Sequence, residues 1–161
     1  MNIVFDFLSM DQWLAVLHIG LGLWWIKSVL HKPYPHFLKG QMADWTIVLA
    51  ENHPFPFLAM PIAVMVHKSR SWFPCLLVFG ELSAGIGLTF GLFTPIALVV
   101  AILLNLNYLD LAGVRPRDIT VNKTYQCEQG QNWNMIVPQF VLLALGAWGT
   151  WSLDSVFGLF L

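Results

Sequence analysis

Between Trp72 and Phe93 the chain runs for 22 residues with one carboxylate, Glu81, and no other ionisable side chain except Cys75. A stretch that long and apolar predicts a helix crossing a bilayer, because a helix satisfies its own backbone polar groups in hydrocarbon. A carboxylate near the bilayer centre costs about 2.5–3.5 kcal/mol on insertion scales, so Glu81 needs a partner or a role.

The rest of the chain fits that constraint. Of its 161 residues 57% are hydrophobic and 11% charged, against about 25% charged in a soluble domain. This composition predicts an all-α, polytopic membrane protein with residues 1–161 as one membrane domain. The net charge of −1 gives no general attraction to nucleic acid, and the lipid bilayer is the expected partner. Asp6 and Asp11 occupy the place where a signal peptide carries positive charge, so the first helix is expected to direct insertion.

Four spans are expected, at about 11–30, 72–93, 95–111 and 134–151, forming a four-helix bundle. Phe93, Thr94 and Pro95 read as a tight turn, with Pro95 at the start of a helix, where its missing N–H does no harm. Lys27, Lys32, Lys39, Lys68 and Arg70 then fall at or between the ends of spans one and two. Arg115, Arg117 and Lys123 fall between spans three and four. All eight bases lie on one side, which the positive-inside rule makes cytoplasmic, with both termini outside. A fifth span at 42–66 would contain Glu51, Asn52, His53, Pro54 and Pro56 and move Lys68 and Arg70 outward, so it is rejected. Within this first cytoplasmic loop, 43–50 reads as an interfacial helix. The apolar run 57–66, interrupted by Pro61, reads as re-entrant or interfacial. The loop is expected to fold over the cytoplasmic mouth. The second loop, 112–133, is polar and expected to be irregular. Trp13, Trp72, Trp133, Trp148 and Trp151 sit near span ends, as an aromatic belt requires.

Several polar groups fall inside the expected bundle. Ala84, Gly85 and Leu88 share the Glu81 face, and Ser83, Gly87 and Gly91 form a second row of small residues. Lys27, at the inner end of span one, is the candidate cation for Glu81, or else it snorkels to headgroups. Ala101, Asn105 and Tyr108 share a face of span three; Asn132, Gln139 and Gly146 share one of span four. These groups predict either a polar pocket open to the inner leaflet or interhelical hydrogen bonds without a ligand. His18 reads as a neutral histidine held by a backbone carbonyl, with proton relay as the alternative. His31, His36, His53 and His67 lie in the first loop without metal-ligand spacing, and no metal site is expected. Cys75 and Cys127 are expected as free thiols on the cytoplasmic side, a transient redox pair being the other reading.

Three stretches resemble the DoxX/DoxD family of small membrane proteins. They are Gly20-Leu-Gly-Leu-Trp-Trp-Ile-Lys27, Gly80-Glu81-Leu-Ser-Ala-Gly85 on to Thr94, and Asn132-Trp-Asn on to Ser152-Leu-Asp154. Asn105-Leu-Asn-Tyr108 is also similar. The likeness covers most of the chain apart from the inner loops. The family's name-giving branch includes the large subunit of an archaeal thiosulfate:quinone oxidoreductase. The resemblance thus implies a protein of a bacterial or archaeal cytoplasmic membrane that oxidises a small sulfur compound such as thiosulfate. Membrane quinone would be its electron acceptor. Glu81 and Lys27 would be catalytic, with Asn105, Tyr108, Asn132 and Gln139 binding substrate or quinone. No flavin, haem, iron–sulfur or nucleotide motif is present in the sequence, so electrons would pass directly or through a partner subunit. The rival expectation is a non-catalytic subunit of a respiratory or photosynthetic complex. A small transporter is a third, without visible inverted repeats. Four short helices also leave self-association open.

Overall fold

The computed structural model describes residues 7–160. Asp6, part of the acidic N-terminus, lies outside them. Among the described residues the regular structure is all helical, with no strand. The helices are α1 (Met10–Leu30), α2 (Met42–Glu51), α3 (Pro56–Ser69), α4 (Phe73–Phe90), α5 (Thr94–Leu111), α6 (Tyr125–Leu145) and α7 (Leu153–Phe157). A short turn, Phe37–Gln41, kinked at Gly40, leads into α2. Three of these helices, α1, α4 and α5, are long and apolar enough to cross a membrane.

The helix ends follow from local chemistry. Ser9 and Gln12 close a capping box on α1: the Gln12 amide donates to Ser9 Oγ at 3.3 Å, and the Ser9 amide to Gln12 Oε1 at 2.8 Å. α4 stops at Gly91, whose φ of 61° suits a left-handed cap. The expected tight turn follows, with Thr94 and Pro95 opening α5.

α1 packs on α4, α4 on α5 and α5 on α6, and α6 returns to α1. Leu21, Trp25, Leu88, Leu98, Met135 and Leu142 fill the centre. Gly22 and Gly85 set the α1–α4 crossing. A Cβ on Gly22 would fall 2.4 Å from the Thr89 nitrogen, and one on Gly85 would fall 2.9 Å from Ile26. The expected Glu81 face is buried, with Ala84, Gly85 and Leu88 beside it. The second small-residue row divides: Gly87 packs on Ala97 and Gly91 on Ser152, while Ser83 is exposed.

α2 and α3 form a helical hairpin against the end where α4 begins and α5 finishes. Ala43, Ile47 and Val66 meet Phe73 and Leu77 there, and Leu49, Ala59 and Ala63 meet Leu111. The helix expected at 43–50 is α2. The run 57–66, interrupted in the sequence by Pro61, lies inside α3, which continues through that proline.

The fourth helix departs most from the sequence reading. It starts at Tyr125, so 125–133 is helical rather than irregular, and it ends at Leu145 rather than near 151. Its start is set by Asn122, whose Nδ2 donates 2.8 Å to the Ala112 carbonyl while Oδ1 accepts from the Thr124 amide at 3.2 Å. Of the Gly, Pro and Asn residues in 112–133, Gly130 and Asn132 fall beyond that turn: nothing lies within 4 Å of where a Gly130 Cβ would sit, and Asn132 bonds the Glu128 carbonyl of its own helix. At the other end Gly146, with φ 64°, closes the helix.

Candidate functional site

Glu81 sits near the middle of α4 with its side chain 1% exposed. Three elements reach it. Lys32, two residues beyond α1, places Nζ 3.0 Å from Oε1 and 2.8 Å from Oε2. Ser28 Oγ of α1 donates to Oε2 at 3.3 Å. The Tyr108 hydroxyl of α5 donates to Oε1 in a short hydrogen bond. A buried carboxylate is tolerated when paired and hydrogen-bonded on both oxygens, and this one is.

Lys32 reaches inward because the chain reverses after α1. The His31 amide caps the helix on the Lys27 carbonyl at 3.1 Å, and the Tyr34 amide donates to the Lys32 carbonyl at 2.8 Å. The Lys32 ammonium also lies 4.9 Å from the centre of the Phe37 ring, a cation–π contact on its remaining side.

Around this group is a cavity of about 270 Å³. Trp24, Trp25 and Ser28 of α1 line one wall, and Asn105 and Tyr108 of α5 another. Glu128, Gln131 and Asn132 enter from the first turns of α6. Phe37, Met42 and Trp45 close over it from the 37–41 turn and α2. The first long loop thus covers the mouth of the helix assembly, as expected.

The candidates read from the sequence are distributed unevenly. Glu81, Tyr108, Asn105 and Asn132 all line the cavity. Asn132 Nδ2 donates 2.7 Å to the Glu128 carbonyl of its own helix. Gln139 lies behind the wall, fully buried, and accepts from Asn105 Nδ2 at 3.1 Å, which joins α5 to α6. Lys27 is the correction. It is exposed and turns outward over Trp24, with Nζ 5.4 Å from the ring. The ammonium that meets Glu81 belongs to Lys32. Position 27 falls on a different side of α1 from Trp25 and Ser28; Ser28 continues the buried side of Leu21 and Trp25, and Lys32, two residues past the helix end, is brought in by the chain reversal. Helical spacing was the available signal for Ser28; Lys32, beyond the helix end, carried none.

His18, also fully buried, places Nδ1 2.7 Å from the Leu88 carbonyl, the arrangement expected of a backbone-held histidine. Cys75 and Cys127 are both free and exposed. Among the described residues no group of three or more His, Cys, Asp or Glu side chains is placed to hold a metal ion.

Asp154, in the Ser-Leu-Asp stretch, is a buried carboxylate whose place the sequence left open. Its two oxygens accept from the amides of Phe93 and Thr94 at 2.7 and 2.8 Å, at the start of α5. It is a helix cap at the opposite end from the cavity. No protein-family model, curated protein or solved structure matches this chain.

Proposed function

We propose that this chain is a polytopic protein of a bacterial or archaeal cytoplasmic membrane, with α1, α4, α5 and α6 as spans and both termini outside. The eight basic residues all belong to segments at the end bearing the cavity, which the positive-inside rule makes cytoplasmic. The cavity then binds the headgroup of membrane quinone, and the protein is a quinone-linked oxidoreductase, or the quinone-binding subunit of one, for a small sulfur compound such as thiosulfate. The observation that carries this reading is Glu81, held among Lys32, Ser28 and Tyr108 in a cavity of about 270 Å³. That volume is near the small end of ligand pockets, and suits a ring-sized headgroup or a small oxyanion. The DoxX/DoxD resemblance supports the same choice of substrates.

The reaction balances without a further reagent. Two thiosulfates joined through sulfur as tetrathionate release two electrons. Quinone accepts both, together with two protons from the inner aqueous phase. Glu81 and Tyr108 share one hydrogen bond and form the proton-handling pair. Lys32 holds the anionic charge and orients the acceptor, and Asn105 and Asn132 supply polar wall contacts.

A second reading rests on the same carboxylate. Its partners come from three different segments and satisfy both oxygens, which also suits an internal tie in a non-catalytic subunit of a redox complex. Quinone reduction by purified protein, with and without thiosulfate, separates the two. Thiosulfate-dependent turnover that falls at least 100-fold in Glu81→Gln and Tyr108→Phe, with both variants monodisperse and helical, supports the enzyme. No turnover from folded wild-type protein, with a redox complex co-purifying in fixed ratio, supports the subunit.

A further inference from the structure

A second polar feature lies outside the Glu81 cavity. The 37–41 turn and the end of α3 border a groove of about 420 Å³ lined by Lys39, Gly40, His67, Lys68, Arg70 and Ser71, with Leu38. Lys39, Lys68 and Arg70 are exposed. Asp44 is the only acid paired with this cluster among the described residues: Arg70 Nη2 lies 2.7 and 2.8 Å from its two oxygens. Lys39 and Lys68 carry no ion pair among the described residues. Gly40 takes a φ of 111°, a left-handed conformation that favours glycine, and Arg70 Nε passes beside it. The groove is therefore a concave surface with two uncompensated ammonium groups and, along one edge, a guanidinium paired with Asp44.

The helix leading into it is apolar on both sides. Ala59, Ala63 and Val66 face the protein. Phe57, Met60 and Val64 face outward and are 74%, 44% and 50% exposed. They are spaced three and four apart, and the same row continues into His67 and Lys68. One helical face thus passes from bare hydrocarbon to positive charge within its last turn. Trp72, also exposed, stands just beyond. This is the polarity gradient of the border between acyl chains and headgroups.

We propose that this groove binds the phosphate headgroup of an anionic membrane phospholipid, whose acyl chains run along the outward face of α3. The positive charge selects a net anionic lipid over a zwitterionic one, and the apolar row selects a lipid over free phosphate. Each lysine near an anionic membrane surface contributes roughly fivefold in affinity, so losing two lowers it about 25-fold.

Native mass spectrometry of the detergent-purified protein tests this, titrating phosphatidylglycerol and phosphatidylcholine of equal chain length. The expected result is one phosphatidylglycerol retained with at least tenfold preference, weakened about 25-fold in the Lys39→Gln/Lys68→Gln variant. Both lysines are exposed, and an unchanged helical spectrum shows that the variant folds. Lys123→Gln, an exposed lysine outside the groove, leaves binding as it was. Equal retention of the two lipids, or no loss in the double variant, overturns the proposal. Displacement of the lipid by millimolar inorganic phosphate overturns the choice of lipid and makes the groove a site for soluble phosphate. The result is independent of quinone turnover, so the two proposals fail separately.

Discussion

Lys32 and Glu81 are 49 residues apart in the chain and meet at 2.8 Å. The pair is 13% and 1% exposed, so removing one member strands the other charge away from water. Lys32→Met is expected to destabilise the protein by about 3–5 kcal/mol. Lys32→Met/Glu81→Leu is expected to regain most of that, because an apolar pair in a buried site is often neutral or better. Reversible unfolding in mixed micelles measures both, and a double variant no more stable than the single one contradicts the account. Asp118 shows the contrasting case in a water-exposed turn. The Thr120 amide and hydroxyl donate to its Oδ1 at 2.9 and 2.7 Å and hold its carboxyl below the usual aspartate value. The folded value is the depressed one. The turn's contribution is therefore full above the unfolded pKa and fades as pH falls through the folded pKa. Carbon NMR of the Asp118 carboxyl is expected to titrate below a peptide aspartate; a midpoint at or above that reference removes the claim.

At the level of elements, two close approaches decide the packing. Gly22 and Gly85 let α1 and α4 meet backbone to backbone, which brings Ser28 and Lys32 within reach of Glu81. Gly22→Val and Gly85→Val are expected to cost about 1–3 kcal/mol each through overpacking, and to loosen the Glu81 site at the same time. Thermal unfolding measures the first effect. The second is checked by reactivity of Glu81 toward a hydrophobic carbodiimide, which is expected to rise. The α4–α5 turn depends on a distant residue. Asp154 supplies acceptors to two amides at the start of α5, and its own amide donates 2.8 Å to the Gly91 carbonyl. Asp154→Ala leaves two donors unpaired at a buried cap and is expected to cost about 1–3 kcal/mol. Asp154→Asn keeps one acceptor and should cost less; equal losses from both would assign the effect to packing instead.

On the scale of the molecule, chemistry is divided between two ends. The cavity, the basic groove, the α2–α3 hairpin and the eight basic residues share one end. The α4–α5 turn and α7 occupy the other, joined through Asp154. In the proposed orientation Cys127, at the start of α6, faces the cytoplasm and is exposed. A membrane-impermeant maleimide is expected to label it only after cells are opened. A cysteine placed at Ser155 in a Cys75→Ser/Cys127→Ser background is expected to label in intact cells. The reverse pattern would invert the topology and place the Glu81 cavity on the outer face.

By itself the sequence determined the helical class, the buried face of Glu81 and, of the four spans it predicts, three helices of membrane length. Hydrophobic length and helical spacing are local properties, and they survive without knowledge of neighbours. Tyr108 and Asn105 were legible in the same way, as polar residues on an otherwise apolar helical face, and Asn132 by sharing a face with Gln139. The tertiary structure decided which cation reaches Glu81. Lys27 and Lys32 both sit near the end of α1, and the choice depends on a chain reversal at His31 and on Phe37 folding back beneath the ammonium. It also decided that 125–133 is helical, because Asn122 anchors that start to Ala112 across ten residues. Asp154 became legible only when α7 met the start of α5, since a carboxylate in a terminal segment carries no local mark of the amides it will cap.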